Sequence, residues 1–423
     1  MSIVHFSTEV TGGAGAYAVS IHKTVLSLGM TSVLATRDST EIEGAITVKP
    51  MTKWDRFFLA RRRTLLEALG VIDSKYATFG IEKSSVSADD IQRALATKQP
   101  RAFVFYWVSR FITFQCMHEL RQAYPRIPFA LICLDEGYLG GGCHYSWGCH
   151  GYEGACSNCP STSSPIIKRR IARELRARET LLPHINPIVI YPTTNILRMG
   201  RQSTILRTLR SVTIPLGAIS DSEGALHQGV QEPMAASEQP KRRRLVLLIR
   251  SSREYRKGCD LFVDALQLLH EMLPNLRNLM EVVTIGDAML KTNEIDHFVH
   301  HTHMGVVPRS ELMAIYRRVD ALLVTSREDT GPIMINECVA LGRFVISTPV
   351  GVANDLITSA KVGILLDDFT SSALALGIKR FIELNQRTST ELTDDRVAQK
   401  MNPQLTFEGF TEQLLSTLGV ECS

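Results

Sequence analysis

On both sides of residues 220–243, SDSEGALHQGVQEPMAASEQPKRR, short apolar runs alternate with stretches of helical period, while those residues are polar and carry no apolar period. A repeated strand–helix–strand pattern buries its apolar faces as a parallel sheet covered by helices. In the first half, strands are expected at Ile3–Phe6, Ser32–Ala35, Phe103–Trp107, Phe129–Leu134, Ile188–Tyr191 and Val212–Ile214. In the second half they are expected at Leu245–Ile249, Val282–Ile285, Asp320–Thr325 and the start of Arg343–Ile357, which reads as strand, turn and helix start. The chain is therefore expected to be α/β, with two Rossmann-like doubly wound domains facing a central cleft. The boundaries expected are 1–219, a linker over 220–243, and 244–402. The last stretch, 403–423, has helical spacing (Phe407, Phe410, Leu414, Leu415, Leu418) and is expected to pack back on the first domain.

Composition narrows the function classes. A length of 423 residues is enough for two or three domains with sizeable cores. With 47 basic and 43 acidic residues, the net charge of +4 does not call for nucleic acid as a partner. There is no apolar run of transmembrane length. The start, MSIVHFSTEVTGG, lacks the basic and apolar regions of a signal peptide and reads as a first strand entering a glycine turn. The expected location is cytoplasmic, where nine cysteines would be reduced or metal-bound.

The segment SREDTGPIMINECVALG, residues 326–342, carries the strongest chemical signal. It follows the apolar run ending at Thr325, and Pro332 suits the first position of a helix over Ile333–Leu341, capped by Thr330 or Gly331. Asp329 would then stand at the mouth of a helix whose free N–H groups, near Gly331, Pro332 and Ile333, favour an anion such as phosphate. Glu337 is a carboxylate in an apolar helix start. That placement is costly without hydrogen-bond donors, and ribose hydroxyls are suitable ones. The bland alternative is a capping Asp and an exposed Glu.

Other motifs are weaker taken singly. Gly12-Gly13-Ala14-Gly15 opens a helix after the first strand, either as a tight turn or as a close backbone approach to a ligand. RSSREYRKG, residues 250–258, is a basic turn, either solvated or set to neutralise an anion, with Lys257, Arg250, Arg253 and Arg256 as its cations. Cys143, Cys149, Cys156 and Cys159 are spaced C-x5-C-x6-C-x2-C, which fits a closed structural zinc site, free buried thiols or two disulfides. His144 and His150 are spare metal ligands there. Residues 134–160 are rich in glycine and poor in aliphatic side chains, so a metal cross-link is expected to hold their shape. IKRRIARELRAR, residues 167–178, places Ile167, Ile171 and Leu175 on one face among basic residues. It is either a solvated face or a surface attracted to anionic lipid or a lipid diphosphate.

Taken together, these motifs resemble family-4 retaining glycosyltransferases of the two-Rossmann type called GT-B. Asp329 and Glu337 stand where the family has Glu, seven residues, Glu, and an Asp there keeps the charge but shortens the reach. Lys257-Gly258 matches the family's diphosphate grip, while Ser252 takes a position that many members fill with Arg. Gly141-Gly142-Cys143-His144-Tyr145 and Cys156-Ser-Asn-Cys159-Pro160 resemble the colanic-acid-type enzymes of surface polysaccharide assembly. Where that subgroup has His-Asp, this chain has Leu134-Asp135, and the family's His-Trp is here Tyr106-Trp107.

The resemblance implies transfer of a sugar, with retention, from a UDP- or GDP-sugar to a growing glycan or lipid-linked acceptor. It implies that Asp329, Lys257 and Asp135 are catalytic. Glu337, Lys257, Arg253, Arg256, Gly331, Pro332, Ile333, Gly12 and Gly13 would bind the donor. Peripheral contact with the inner face of a membrane is also implied. No Asp-x-Asp sits at a strand end, so catalytic Mg²⁺ is not expected. Leu134 and Tyr106 keep two alternatives open: a weakened homologue that serves as a nucleotide-sugar-binding partner, and a sugar-nucleotide epimerase.

Overall fold

The computed structural model describes residues 1–49, 52–78, 85–220, 244–288, 295–387 and 405–421. The expected linker, 220–243, lies outside the described residues except for Ser220. The chain divides into two compact units: residues 1–215 with 407–423, and residues 216–406.

The first unit is built on a seven-stranded sheet. Its strands are β1 (Ser2–Ser7), β2 (Ser32–Thr36), β3 (Ala45–Thr47), β4 (Pro100–Phe105), β5 (Phe129–Ile132), β6 (Ile188–Tyr191) and β7 (Ser211–Thr213). The spatial order is β3-β2-β1-β4-β5-β6-β7 and every pairing is parallel. β1, β2, β5 and β6 are buried along their whole length, as strands covered on both faces must be. Phe6 stacks on Phe105 with ring centroids 4.8 Å apart, and Phe103 meets Phe129 edge-on at 5.1 Å. The helix Phe407–Thr417 packs on the helix Gly12–Ser27, where Phe410 meets Tyr17 edge-on at 5.4 Å.

The second unit carries a six-stranded parallel sheet of β8 (Leu245–Ser251), β9 (Met280–Gly286), β10 (His300–His303), β11 (Ala321–Val324), β12 (Phe344–Ser347) and β13 (Gly363–Leu365). The order is β10-β9-β8-β11-β12-β13. Helices Cys259–Met272 and Ser371–Arg387 pack together over the sheet.

In both sheets the chain order reverses at one place. β1 lies between β2 and β4, and β8 lies between β9 and β11. At such a reversal the loops leaving the carboxyl ends of the two strands diverge, and open α/β sheets bind ligands there. No helix among the described residues is long and apolar enough to cross a membrane.

The strand-rich expectations fall on real strands, and three were missed. β3 and β13 have only three residues each. β10 reads His-His-Thr-His and has no apolar alternation to announce it.

Candidate active site

In the second unit the reversal lies between β8 and β11, and it gathers the expected donor-site residues. The loop after β8 ends in a short 3-10 turn, Tyr255–Lys257, closed by Gly258 at φ +65°. A Cβ at Gly258 would lie 2.0 Å from the Thr325 carbonyl oxygen, so only glycine lets this loop reach the end of β11. The loops are then tied together. Thr325 Oγ1 donates to the Lys257 carbonyl at 2.7 Å, and the Arg327 N–H donates to the Arg256 carbonyl at 2.7 Å. The Arg327 guanidinium is bidentate to Asp260, at 2.7 and 2.5 Å, and lies over the Tyr255 ring.

Asp329 is the hub. Its Oδ2 accepts from Lys257 Nζ and, at 3.1 Å, from Arg256 Nη1. Its Oδ1 accepts from the Gly331 N–H at 3.3 Å. The three ionic side chains are only 10–15% exposed. Burial alone would raise the Asp329 pKa, but the Lys257 and Arg256 charges outweigh it and hold the carboxyl below its usual range. Of the three arginines expected to accompany Lys257, Arg256 is the one the turn brings in. Arg253 is exposed and does not join the group, and Ser252 is buried.

The helix beyond Asp329 starts at Ile333, with Pro332 as its cap residue and no side-chain cap, rather than with Pro332 inside it. Gly331, Pro332 and Ile333 are half-buried at its mouth. Glu337, 3% exposed, needed donors and has them inside its own unit. Arg309 Nη1 donates to Oε1 at 2.9 Å and Tyr316 Oη donates to Oε2 at 2.5 Å.

In the first unit the reversal lies between β1 and β4. The Thr8 N–H donates to the Trp107 carbonyl and Thr8 Oγ1 to the Ser109 carbonyl, both at 2.8 Å. Gly12, at φ +70°, and Gly13 open the helix that follows β1, and both are exposed. The steric demand falls instead on Gly15, where a Cβ would lie 2.5 Å from the Glu9 carbonyl oxygen.

Beside this reversal, after β5, stands a group that sequence reasoning did not assemble. His144 Nδ1 is 2.5 Å from Asp135 Oδ2, and His144 Nε2 is 2.9 Å from Ser109 Oγ. Trp107 Nε1 lies 3.2 Å from Nδ1 on the other side. Gly137 makes room, since a Cβ there would lie 2.7 Å from His144 Cε1. His144, expected as a spare metal ligand, is thus held between a carboxylate and a hydroxyl. Tyr106, at the place of the family's histidine, is fully buried and hydrogen-bonded to His5 at 2.9 Å.

The expected zinc site is not formed. Cys143, Cys149, Cys156 and Cys159 are free thiols lining a cavity of about 250 Å³. Among the described residues, no group of three or more His, Cys, Asp or Glu side chains is placed to hold a metal ion. Burial raises the Cys143 and Cys156 pKa values.

The premise that only a cross-link could hold this segment was mistaken. The buried Arg178 donates to the Gly137 and Gly140 carbonyls, both at 2.8 Å. Ser203 Oγ donates to the Leu139 carbonyl at 2.6 Å. Tyr138, Leu139 and Tyr152 pack into the main core of the unit. The basic stretch at 167–178 is likewise not a free amphipathic surface. It lies in a helix, Pro165–Ile185, whose Ile171, Leu175, Leu182 and Ile185 are buried in the unit.

Residues 230–395 match the family model of glycosyl transferases group 1. No curated protein matches the chain in sequence. Solved structures resemble it over nearly its full length. The trehalose-phosphate synthase of Burkholderia xenovorans, in complex with glucose-6-phosphate, is 13% identical with a TM-score of 0.62, covering 99% of each chain. WaaG, a glycosyltransferase involved in lipopolysaccharide biosynthesis, is 14% identical with a TM-score of 0.56, covering 98% of this chain and 95% of that one. Anabaena HepE, in complex with UDP and glucose, is 15% identical with a TM-score of 0.54, covering 99% of each. The fold is GT-B, two parallel-sheet Rossmann-like α/β units, and the match to group 1 glycosyl transferases falls on the second of them.

Proposed function

We propose that the protein is a retaining glycosyltransferase. It moves a sugar from a UDP- or GDP-sugar to a growing glycan or lipid-linked acceptor in polysaccharide biosynthesis, on the inner face of a membrane. The observation that carries this reading is the meeting of Lys257, Arg256 and Asp329 at the strand reversal of the unit matched by group 1 glycosyl transferases. Two cations beside a helix N-terminus suit a diphosphate. As the sugar leaves, Lys257 and Arg256 neutralise the charge that builds on the diphosphate. The amides of Gly331 and Ile333 assist, Asp329 contacts the donor sugar, and Glu337 holds the ribose. Gly12 and Gly13 offer exposed backbone on the first unit. Asp135 acts there through His144 and Ser109, on the acceptor side.

A specific observation favours a second reading, a nucleotide-sugar-binding partner without turnover. Tyr106 is locked against His5 and cannot serve as the family's histidine does. Incubating purified protein with a panel of UDP- and GDP-sugars separates the readings. Transfer or slow hydrolysis with a retained anomeric configuration is expected. Binding without turnover means the partner, and conversion of the donor without acceptor means an epimerase. No binding of any donor overturns both the transferase and its alternatives.

A further inference from the structure

Glu337 is held from a single neighbouring helix, Arg309–Arg318, in the same unit. Arg309 and Tyr316 are seven residues apart on that helix, two turns along one face. They reach the two oxygens of the carboxylate separately, Arg309 Nη1 at 2.9 Å from Oε1 and Tyr316 Oη at 2.5 Å from Oε2. Arg309 is itself anchored, because its Nη2 donates to the Ala218 carbonyl at 2.6 Å. Asn336, next to Glu337 on its own helix, donates through Nδ2 to the Leu216 carbonyl at 3.0 Å. Residues 216–218 therefore brace both partners of the ion pair. Tyr316 is fully buried, and burial, followed by the Glu337 charge, raises its pKa well above the ordinary phenol range. The phenol keeps its proton and stays a donor.

Stability alone does not account for this arrangement, since a buried ion pair is often no more stabilising than apolar side chains of the same volume. What two donors on separate oxygens supply is orientation. The carboxylate cannot turn about its last side-chain bond without breaking both hydrogen bonds. The Arg309 side chain is 38% exposed against 3% for Glu337, so the pair reaches the surface on the Arg309 side. We infer that Arg309 and Tyr316 are positioning residues, which hold the Glu337 carboxylate in the orientation that meets the ribose hydroxyls of a nucleoside diphosphate. The inference rests on the donor-site reading and names the residues that give that site its selectivity for ribose. Neither residue needs to touch the nucleotide.

The test is calorimetric titration of the full chain with UDP, GDP and their 2′,3′-dideoxy forms. The parent should bind the ribose form of at least one diphosphate about tenfold or more tightly than its dideoxy form. Tyr316→Phe and Arg309→Gln should each cut that ratio at least about threefold, by weakening the ribose form while the dideoxy form stays within about twofold. Arg309→Lys, which keeps the cation, should restore part of the ratio. Circular dichroism checks each fold, and any one folded variant decides the matter. A merely structural role lowers the thermal midpoint and both affinities together and leaves the ratio at the parent's value, which overturns the inference. Equal binding of the ribose and dideoxy forms by the parent also overturns it, because Glu337 then does not meet the ribose, while the diphosphate site stands. If the folded parent binds neither UDP nor GDP, the donor-site reading falls and the inference falls with it.

Discussion

The two strand reversals are built from the same topology and closed by different chemistry. Between β1 and β4 the loops are joined by neutral hydrogen bonds from Thr8, with Glu9 near Arg110 and Arg37 at their edge and the Asp135–His144 pair beside them. Between β8 and β11 they are joined by Lys257, Arg256 and Asp329, three largely buried charges. A neutral junction is stable whether or not a ligand is present. In the charged one Arg256 also donates to Glu254 Oε2 at 2.6 Å, so two cations meet two carboxylates, of which only Asp329 is shared. The second unit thus gathers paired charges at its reversal, and the first holds a hydroxyl and an imidazole in register.

The largest expected effect breaks the charged junction. Asp329→Ala leaves Lys257 and Arg256 facing each other with their shared anion gone, and should destabilise the second unit by about 3–5 kcal/mol. UDP or GDP should restore much of that loss by supplying the missing charge, read as a larger thermal shift in the variant than in the parent. If the variant melts like the parent, the junction is not held by this pair. Because Asp329 has a lowered pKa when folded, its contribution is present above the unfolded carboxylate pKa and is lost as pH falls through the folded value.

Next comes Gly258→Ala. Its strained φ and the Cβ approach to the Thr325 carbonyl should cost about 1–3 kcal/mol or more. Gly13→Ala, which meets open space, should cost less than about 1 kcal/mol. Chemical denaturation compares the two, and equal losses would contradict the steric account.

The neutral side is sharpened by pH. Burial, and then the neighbouring His22, lower the His5 pKa to about 3, whereas an unfolded histidine titrates near 6.5. Between those values the unfolded chain binds the extra proton. Stability should therefore rise with pH by up to about 1.4 kcal/mol per unit and level off above the unfolded value. His5→Asn should flatten that slope in pH-dependent denaturation.

The smallest effect concerns the cysteines. Chelator treatment should move the thermal midpoint by less than about 1 °C, since no group of three or more His, Cys, Asp or Glu side chains among the described residues is placed to hold a metal ion. A large drop would restore the metal reading.

What the sequence disclosed follows from how local each signal is. Lys257-Gly258 and Asp329-x7-Glu337 are short motifs beside apolar strands, so Lys257 and Asp329 were readable as one site before their contact at the β8–β11 reversal was known. The choice of Arg256 over Arg253 was not, because it depends on the hand of one 3-10 turn. Ser109 and His144 are 35 residues apart and meet only after β5 pairs with β4, and the one local hint was the glycine at 137. The four cysteines show the opposite failure. Their spacing fits a known metal pattern, but long-range donors such as Arg178 and Ser203 already hold the segment. The stripe at 167–178 was correctly seen as amphipathic, yet periodicity does not say whether a face meets the core or a partner.

The central claim is that the β8–β11 junction binds a nucleoside diphosphate through Lys257 and Arg256. Isothermal titration of UDP and GDP into the parent and into Lys257→Ala tests it most directly. Saturable one-to-one binding of at least one diphosphate is expected in the parent. The variant should bind about 10–100-fold more weakly, the loss of one charge-assisted hydrogen bond of about 1.5–3 kcal/mol. Binding of neither diphosphate to the folded parent, or unchanged affinity in the variant, would contradict the account.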